Sequence, residues 1–512
     1  MKETLLMAVD LGTSFVKAGV YDTKSACIAQ TQAAVKDYRP GPGIFIQKGD
    51  ELYESVLECM RKAVAAIGDR AGNVSAISFT GQMSGFMGVS ETWEDITTWS
   101  CSLDSRYMPY AMKQMEQLRD PFMSISGTNF PQMASKYEWF ANDFPQEAKK
   151  IAKCLMISGY VIGRLGNIPI EDAVMDRTYA SWTGLADVRN DSWSREICEK
   201  VGIPMDLLPK IVNSNYICGY LCENAAKQVG LKSGIPLVSG AGDKMAGCLG
   251  SAAVSVGDSV FEASSYGEIS CCVDQFRVDM EERRFDVLAS AVPGKFFATH
   301  FAAGSGITLD WFVNTFVSRP GDDLGEVFAQ LDEKVAKLTP GCDGVMAIGL
   351  LAGSSMPLES NLKGMWIGYD WSHKPEHFYR ALLESFTYDF ALAADRIDKT
   401  YSEYDFSRVK MIGGGANSSV WPQMSADVTG KTYCTLNRKD VSMWGASILA
   451  GNAIGVFPSI EETARQYVQE KNTFTPNMEM HEKYKKYMAL YKDYIEQMVP
   501  FHKRIADLMQ ED

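Results

Sequence analysis

The chain opens on LLMAVDLGTSFVKAGVYD, an apolar run, a glycine-containing turn and a β-rich stretch with Val16, Val20 and Tyr21. That order predicts a hairpin beginning a sheet. Over residues 50–67 (DELYESVLECMRKAVAAI) the apolar positions shift to helical spacing, with Asp50 as candidate N-cap. VSAISFTG then reads as a short buried strand closed by glycine, and the β-β-α-β alternation predicts an α/β architecture. The same grammar returns after residue 250, where GDSVFEASSYGEISCCV reads as strand, small-residue turn, strand. HFYRALLESFTYDFALAADRID is a long amphipathic helix, and VKMIGGGANSSVWPQMSADVTG reads as strand, Gly-rich turn and helix. From about residue 476, Tyr, Met and Leu recur at i, i+3 and i+4, which predicts a surface helix packed back on the body. Small residues crowd at GCLGSAAVSVG, and the domain boundary is placed there, near residues 250–257.

Composition narrows the class. A chain of 512 residues exceeds one hydrophobic core, so two large domains are expected. The net charge of −14, from 50 basic and 64 acidic side chains, argues against a general nucleic-acid binder. A phosphate ligand stays open, because backbone N–H groups and a few local cations suffice to hold one. No run approaches the roughly twenty apolar residues that cross a bilayer, and the N-terminal apolar stretch is too short for a signal peptide. The 12 cysteines are scattered without C-x-x-C spacing, which reads as reduced thiols in a cytoplasmic protein and disfavours zinc.

Three segments carry candidate chemistry. In Asp10-Leu11-Gly12-Thr13-Ser14, with Lys17 beyond, a glycine lets the backbone approach a polyphosphate while hydroxyls and amides donate to it. Asp10 at the strand end suits Mg2+, held through water; a turn chosen only for its geometry fits the residues about as well. Gly240-Ala241-Gly242-Asp243-Lys244 follows the strand IPLVS and precedes an apolar small-residue run. A carboxylate there lies at the C-terminal edge of a sheet, where open α/β sheets bind ligands. Asp243 can accept a hydroxyl proton during attack on a phosphate, or simply cap the next helix. Gly413-Gly414-Gly415-Ala416-Asn417-Ser418 lies between a strand and a helix, where successive glycines admit a flat ligand such as adenine. It is neither a P-loop nor G-x-G-x-x-G.

Together, and in this order, the segments resemble the FGGY carbohydrate kinases of the actin and Hsp70-like ATPase superfamily, over nearly the whole chain. Trp421-Pro422-Gln423-Met424 with Ala426-Asp427 continues the adenosine motif. KGMWIGYDWSHKPEHFYRALLES is similar to the family's second signature, with Gly364, Gly368, Arg380, Ala381 and Glu384 in place. Trp444-Gly445-Ala446 with Ala450-Gly451 is similar to its C-terminal G-A-A helix. The resemblance implies two ribonuclease H-like (actin-like ATPase) domains flanking a cleft, residues 1–253 binding sugar and 254–512 binding nucleotide. It implies ATP and Mg2+, transfer of the γ-phosphoryl group to a sugar hydroxyl, Asp243 as base, and Mg2+ at Asp243 and, through water, Asp10. Asp10, Gly12, Thr13, Ser14 and Lys17 would surround the β- and γ-phosphates. Ala263-Ser264-Ser265 stands where relatives carry Gly-Thr-Ser; Ser264 and Ser265 keep the hydroxyls. Gly306 matches a nucleotide-contacting position, and Gly414, Gly415, Ala416, Asn417 and Ser418 the adenosine site.

For the sugar, Thr80-Gly81-Gln82-Met83-Ser84-Gly85 is nearest the G-Q-M-H-G of xylulokinases, with Ser84 where they place histidine. Glycerol kinases carry Arg and Glu at positions 83 and 84, so glycerol is disfavoured. Asp104-Ser105-Arg106 resembles the family's D-x-R, with Ser102 in place of the usual Trp, and Asp176 with Ala180, Ser181 and Thr183 resembles an interdomain segment. Gln82, Met83, Ser84, Asp104 and Lys244 are the candidate sugar contacts. Lys244 stands where relatives carry Asn or Gln. It can pair with an anionic substrate such as an aldonate, restrain Asp243 by an ion pair that lowers its pKa, or point into solvent. The expected reaction is phosphorylation of a ketopentose. An aldonate, a polyol or an autoinducer-type linear sugar is the alternative, and a homodimer is expected. A non-catalytic sensor or an actin-like ATPase is the reading from another class. It is disfavoured by the retained Asp10 and Asp243 and by the Q-M-x-G and G-D-x-x-A-G strings.

Overall fold

The computed structural model describes residues 3–511. Two twisted sheets organise it. In the first, the apolar runs Leu5–Leu11 and Phe15–Asp22 pair antiparallel, and Cys27–Ala34 adds a third strand. That edge strand is mostly exposed and polar, so no apolar pattern marks it in the sequence. On the other side of Leu5–Leu11 lie Val74–Gly81 and Pro236–Val238, both parallel to it, then Ile217–Tyr220 running against them. The helix Gly49–Ile67 carries the chain from the edge strand Cys27–Ala34 back to Val74–Gly81. Its N-cap is Lys48 rather than Asp50; Asp50 falls in the first turn, and its carboxylate pairs with Arg164 instead.

The second sheet repeats this plan. Ser259–Ala263 and Gly267–Val273 form its hairpin, extended by Phe296–Ala302 and Asp286–Ala289. Across Ser259–Ala263 come the parallel strands Arg408–Ile412 and Thr432–Leu436, then antiparallel Glu470–Phe474. Each sheet thus places an antiparallel hairpin beside two parallel strands, so that turns and strand ends gather at one edge.

One helix ties the two halves together, and another closes the second half. Val441–Ala453 follows the strand Thr432–Leu436 of the second sheet, yet packs on Leu5–Leu11, Val74–Gly81 and the helix Asp243–Gly250. Its buried face is apolar nearly all round, as a helix enclosed between two layers must be. The C-terminal helix Met478–Glu511 buries Tyr484, Tyr491 and Tyr494 against Pro375–Thr400. There Arg380 bonds Glu384 (2.8 Å), two carbonyls and the Tyr484 hydroxyl (2.8 Å), so this signature arginine is a buried tie within the second half. No helix among the described residues is long and apolar enough to cross a membrane.

Candidate active site

The site is built where the two hairpin turns face the start of the helix Asp243–Gly250. Asp10 is the penultimate residue of its strand, with Lys17 its cross-strand partner. Burial raises the Asp10 carboxyl above the usual range; Lys17 opposes the shift and Glu262 adds to it. In the turn, the Thr13 hydroxyl donates to Gln82 Oε1 (3.2 Å) and the Thr13 carbonyl accepts from Gln47 Nε2 (2.7 Å). Gly12 and Thr13 are half-buried and Ser14 is exposed, so the turn offers its backbone and one hydroxyl to the space in front of it.

Asp243 is the first helical residue, not the cap: the N-cap is Gly242, and Asp243 Oδ1 accepts from the Lys244 N–H at 2.8 Å. The approach to it is fixed by Gly240, at φ +74°, where a Cβ would lie 1.7 Å from the Phe79 carbonyl. No other residue fits that turn. Gly242 N–H donates to Thr178 Oγ1 (2.9 Å), and Thr178 is held in turn by Asp176, whose other oxygen takes the Ser214 hydroxyl at 2.6 Å. Asp176 therefore caps the short helix Arg177–Ser181 and, through Thr178, fixes the segment that carries Asp243. Burial pushes the Asp243 carboxyl up to about 7; the nearby Glu262 and Asp10 charges add to this, and Lys244 opposes it.

Two of the readings of Lys244 are addressed by its surroundings. It does not point into solvent: its ammonium forms an ion pair with Glu262 of the second hairpin at 3.0 Å, and the side chain is 16% exposed. Its charge favours ionised Asp243, as expected, but desolvation outweighs it, so the net shift of Asp243 is upward. Glu262 escapes sequence reasoning as its partner because Lys244 is on the helix Asp243–Gly250 and Glu262 on a strand of the second sheet, and only the fold joins them.

In the second turn, Ser264 Oγ donates back to the Tyr266 carbonyl (2.8 Å) and Ser265 is exposed. Ala263 is buried beneath the glycine loop, with its carbonyl against Gly413. Gly306 N–H donates to the Ser264 carbonyl at 3.0 Å; a Cβ there would sit 2.5 Å from the same oxygen. Beside this turn is a cavity of about 510 Å3 that gathers Ser264, Ser265, Gly306, Gly414, Gly415, Asn417 and Ser418. Ala416 lies on the other side of the loop, lining a neighbouring cavity of about 540 Å3. Sequence reasoning missed the rest of the wall, notably Leu309, Phe328, Tyr379 and Asp332. Asp332 accepts from the Ser418 hydroxyl (2.7 Å) and Ser419 N–H (2.8 Å), and burial raises its carboxyl. Leu309, Phe328 and Tyr379 make part of this wall apolar, and an apolar wall with a few polar groups suits a small-molecule ligand.

Of the expected sugar contacts, Gln82 and Met83 are buried and Ser84 is half-buried, its hydroxyl donating to Gln132 Oε1 at 2.8 Å. Met83 packs on Gly242, the residue before Asp243. Asp104 is wholly buried, clasped by Arg106 (two bonds of 2.8 Å) and the Ser100 hydroxyl (2.8 Å). The Arg106 guanidinium lies 4.5 Å over the Trp139 ring. Among the described residues, no three His, Cys, Asp or Glu side chains gather closely enough to hold a metal by themselves. Asp10 and Asp243 are nonetheless buried carboxylates that disfavour each other's charge, which a cation would relieve. Two carboxylates plus phosphate oxygens are what Mg2+ takes, so the residues fit it.

Comparison with known proteins identifies the family. Residues 5–250 match the N-terminal domain of the FGGY family of carbohydrate kinases, and residues 280–454 match its C-terminal domain. The chain belongs to the FGGY carbohydrate kinases. It is 26% identical to a xylulose kinase of Bacillus subtilis over 495 residues (95% of this chain, 96% of that one). It is also 26% identical to a gluconokinase of Bacillus licheniformis over 502 residues (95% and 94%). The crystal structure of a gluconate kinase from Lactobacillus acidophilus superposes with a TM-score of 0.89 at 19% identity, over 98% of this chain and all of that one. The two-domain FGGY kinase fold is thus shared, and membership of a kinase family implies ATP as phosphoryl donor. The relatives differ in the sugar that their names carry.

Proposed function

We propose that this kinase phosphorylates a small neutral sugar, a ketopentose first among them, with Asp243 as the general base. As the sugar hydroxyl oxygen attacks the γ-phosphorus, its proton passes to the Asp243 carboxylate and the bond to the β-phosphate bridging oxygen breaks, giving the sugar phosphate and ADP. The observation that carries this reading is the environment of Asp243: a carboxyl at a strand-to-helix turn, between the two hairpins, raised to about 7, where a base balances availability against basicity. Asp10, Gly12, Thr13, Ser14 and Lys17 would meet the β- and γ-phosphates, and the cavity lined by Gly306, Gly414, Gly415 and Ser418 the adenosine. Mg2+, when bound by Asp10 through water and by Asp243, would supply positive charge against the phosphates.

The division of labour follows the sheets, with sugar in residues 1–253 and nucleotide in 254–512. Twelve free cysteines support action in the cytoplasm. A homodimer is supported by aromatic surface that a partner would cover, Trp371 and Tyr369 standing exposed. A coupled ADP-release assay over ketopentoses, polyols and aldonates tests the reaction. Asp243→Asn is expected to lower kcat by about 10²–10⁴-fold with the fold intact. Full activity in that variant would remove Asp243 as the base, and no sugar-dependent ADP release in the parent would remove the kinase reading.

A further inference from the structure

We propose that Gln132 determines sugar specificity, its side-chain amide donating to an oxygen of a neutral polyhydroxy substrate, in a pocket that rejects carboxylate sugars. The proposal rests on the kinase reading above and names the substrate class within it.

Gln132 begins the helix Gln132–Asp143 and is half-buried. Its carbonyl oxygen is claimed twice, by the Ser84 hydroxyl at 2.8 Å and the Tyr107 hydroxyl at 3.1 Å. Two donors on Oε1 fix which way the amide faces and leave the two N–H groups of Nε2 to point elsewhere. Among the described residues nothing accepts from them. A half-buried amide with both donors free is completed by water or by a ligand. Its location favours the ligand: Ser84 follows Met83, and Met83 packs on Gly242 directly before Asp243.

The same helix face fixes the other sugar-side acid. One turn after Gln132, Lys136 is wholly buried and spends its ammonium on the Ser100 carbonyl (2.9 Å), the Ser100 hydroxyl (3.2 Å) and the Cys101 carbonyl (2.6 Å). Ser100 passes the connection to Asp104 Oδ2. Residues i and i+4 on one helix thus hold both Ser84 and the Asp104 loop. Gln132 contacts the sugar in this scheme; Lys136 is a positioning residue.

Charge then selects the substrate. Lys136 is consumed by the Ser100–Cys101 turn, Arg106 by Asp104, and Lys244 by Glu262. No cation of this group is left unpaired to meet a carboxylate, and with Asp104 neutralised by Arg106 the acid that would face one is Asp243. An aldonate would therefore bring in a carboxylate that finds no counter-ion among these side chains. A ketose or polyol brings only hydroxyl and carbonyl oxygens, which an amide N–H satisfies.

The test is steady-state kinetics of the full-length protein and Gln132→Leu, varying sugar and ATP separately over neutral ketoses, polyols and aldonates. Gln132→Leu is expected to raise the sugar KM about 10–100-fold with the ATP KM unchanged, since an unpaired hydrogen bond in a binding site costs that order of affinity, and to lower the melting temperature because the Ser84 and Tyr107 hydroxyls lose their acceptor. Gln132→Asn, which keeps the amide on a shorter arm, is expected to fall between. The parent is expected to turn over neutral sugars at least about tenfold more efficiently than aldonates. An unchanged sugar KM in Gln132→Leu, or a parent that prefers an aldonate, overturns the proposal while leaving the kinase intact. No ADP release with any sugar would instead overturn the kinase reading on which it stands.

Discussion

The hairpins Leu5–Asp22 and Ser259–Val273 occupy the same place in their sheets and handle charge in opposite ways. Two positions out from the first turn, Asp10 faces Lys17; at the matching positions of the second, Glu262 faces Glu268. The first sets opposite charges across the strands, and Lys17 partly offsets the burial that raises Asp10. The second sets like charges opposite each other, which isolated sheets avoid, and its counter-ion comes from the other half of the molecule as Lys244. Space is handled in the same spirit. The first turn contains its own Gly12, whereas the second carries Ala263, Ser264 and Ser265 and borrows room from Gly306. The first hairpin is self-sufficient, and the second is completed by its neighbours.

The sharpest way to break this comparison is to remove the borrowed charge. Lys244→Met leaves Glu262 and the nearly buried Glu268 facing each other without a cation. Breaking a largely buried pair in this way costs about 3–5 kcal/mol, read as a lowered denaturation midpoint. Adding Glu262→Gln to the same chain should return much of that loss. If the double variant is no more stable than the single one, the glutamates are not what Lys244 serves.

A second acid of the same sheet depends on the first half as well. Asp286 is 2% exposed and accepts from the Asn129 N–H (2.7 Å), the Asn129 amide (2.9 Å) and the Thr128 hydroxyl (3.3 Å). Burial pushes its carboxyl up to about 7 against these bonds. The folded state then holds this proton more tightly than the unfolded chain, so stability falls as pH rises from about 4 through 7. The loss amounts to roughly 4 kcal/mol at most, since each tenfold gain in proton affinity on folding is worth about 1.4 kcal/mol. Comparing denaturant midpoints at pH 5 and pH 8, Asp286→Asn should lack this part of the decline. An identical decline in both proteins would show that Asp286 stays ionised throughout.

These dependencies explain which parts of the molecule were legible in its sequence. The hairpins, the glycine loop and the segment before Asp243 announce themselves locally, because apolar runs and turn residues are read within a few positions. The FGGY resemblance then supplied their order and chemistry. Lys244–Glu262 and the Asp332–Ser418 contact join residues distant in the chain, and no local pattern encodes them. Lys136 was hidden for a different reason. A lysine on an amphipathic helix reads as solvated, and only the fold shows three acceptors converging on it. Gln132 was passed over likewise, since a polar residue opening a helix is ordinary until its amide is seen to lack acceptors.

The smallest effect is expected where the comparison began, at Lys17. It is half-buried, and its pairing with Asp10 is set by strand register within one hairpin rather than by contact between halves. Cross-strand pairs of opposite charge contribute about 0.2–1 kcal/mol, so Lys17→Met should shift the denaturation midpoint far less than Lys244→Met. Its consequence should fall on catalysis instead, as a raised KM for ATP, because the turn proposed to meet the phosphates would lose a cation while the fold keeps its shape. On the proposed reading the two lysines separate the roles: Lys17 would serve the nucleotide, while Lys244 pairs the first half with Glu262 of the second. A Lys17→Met protein as unstable as Lys244→Met would mean that the first hairpin is no more self-sufficient than the second.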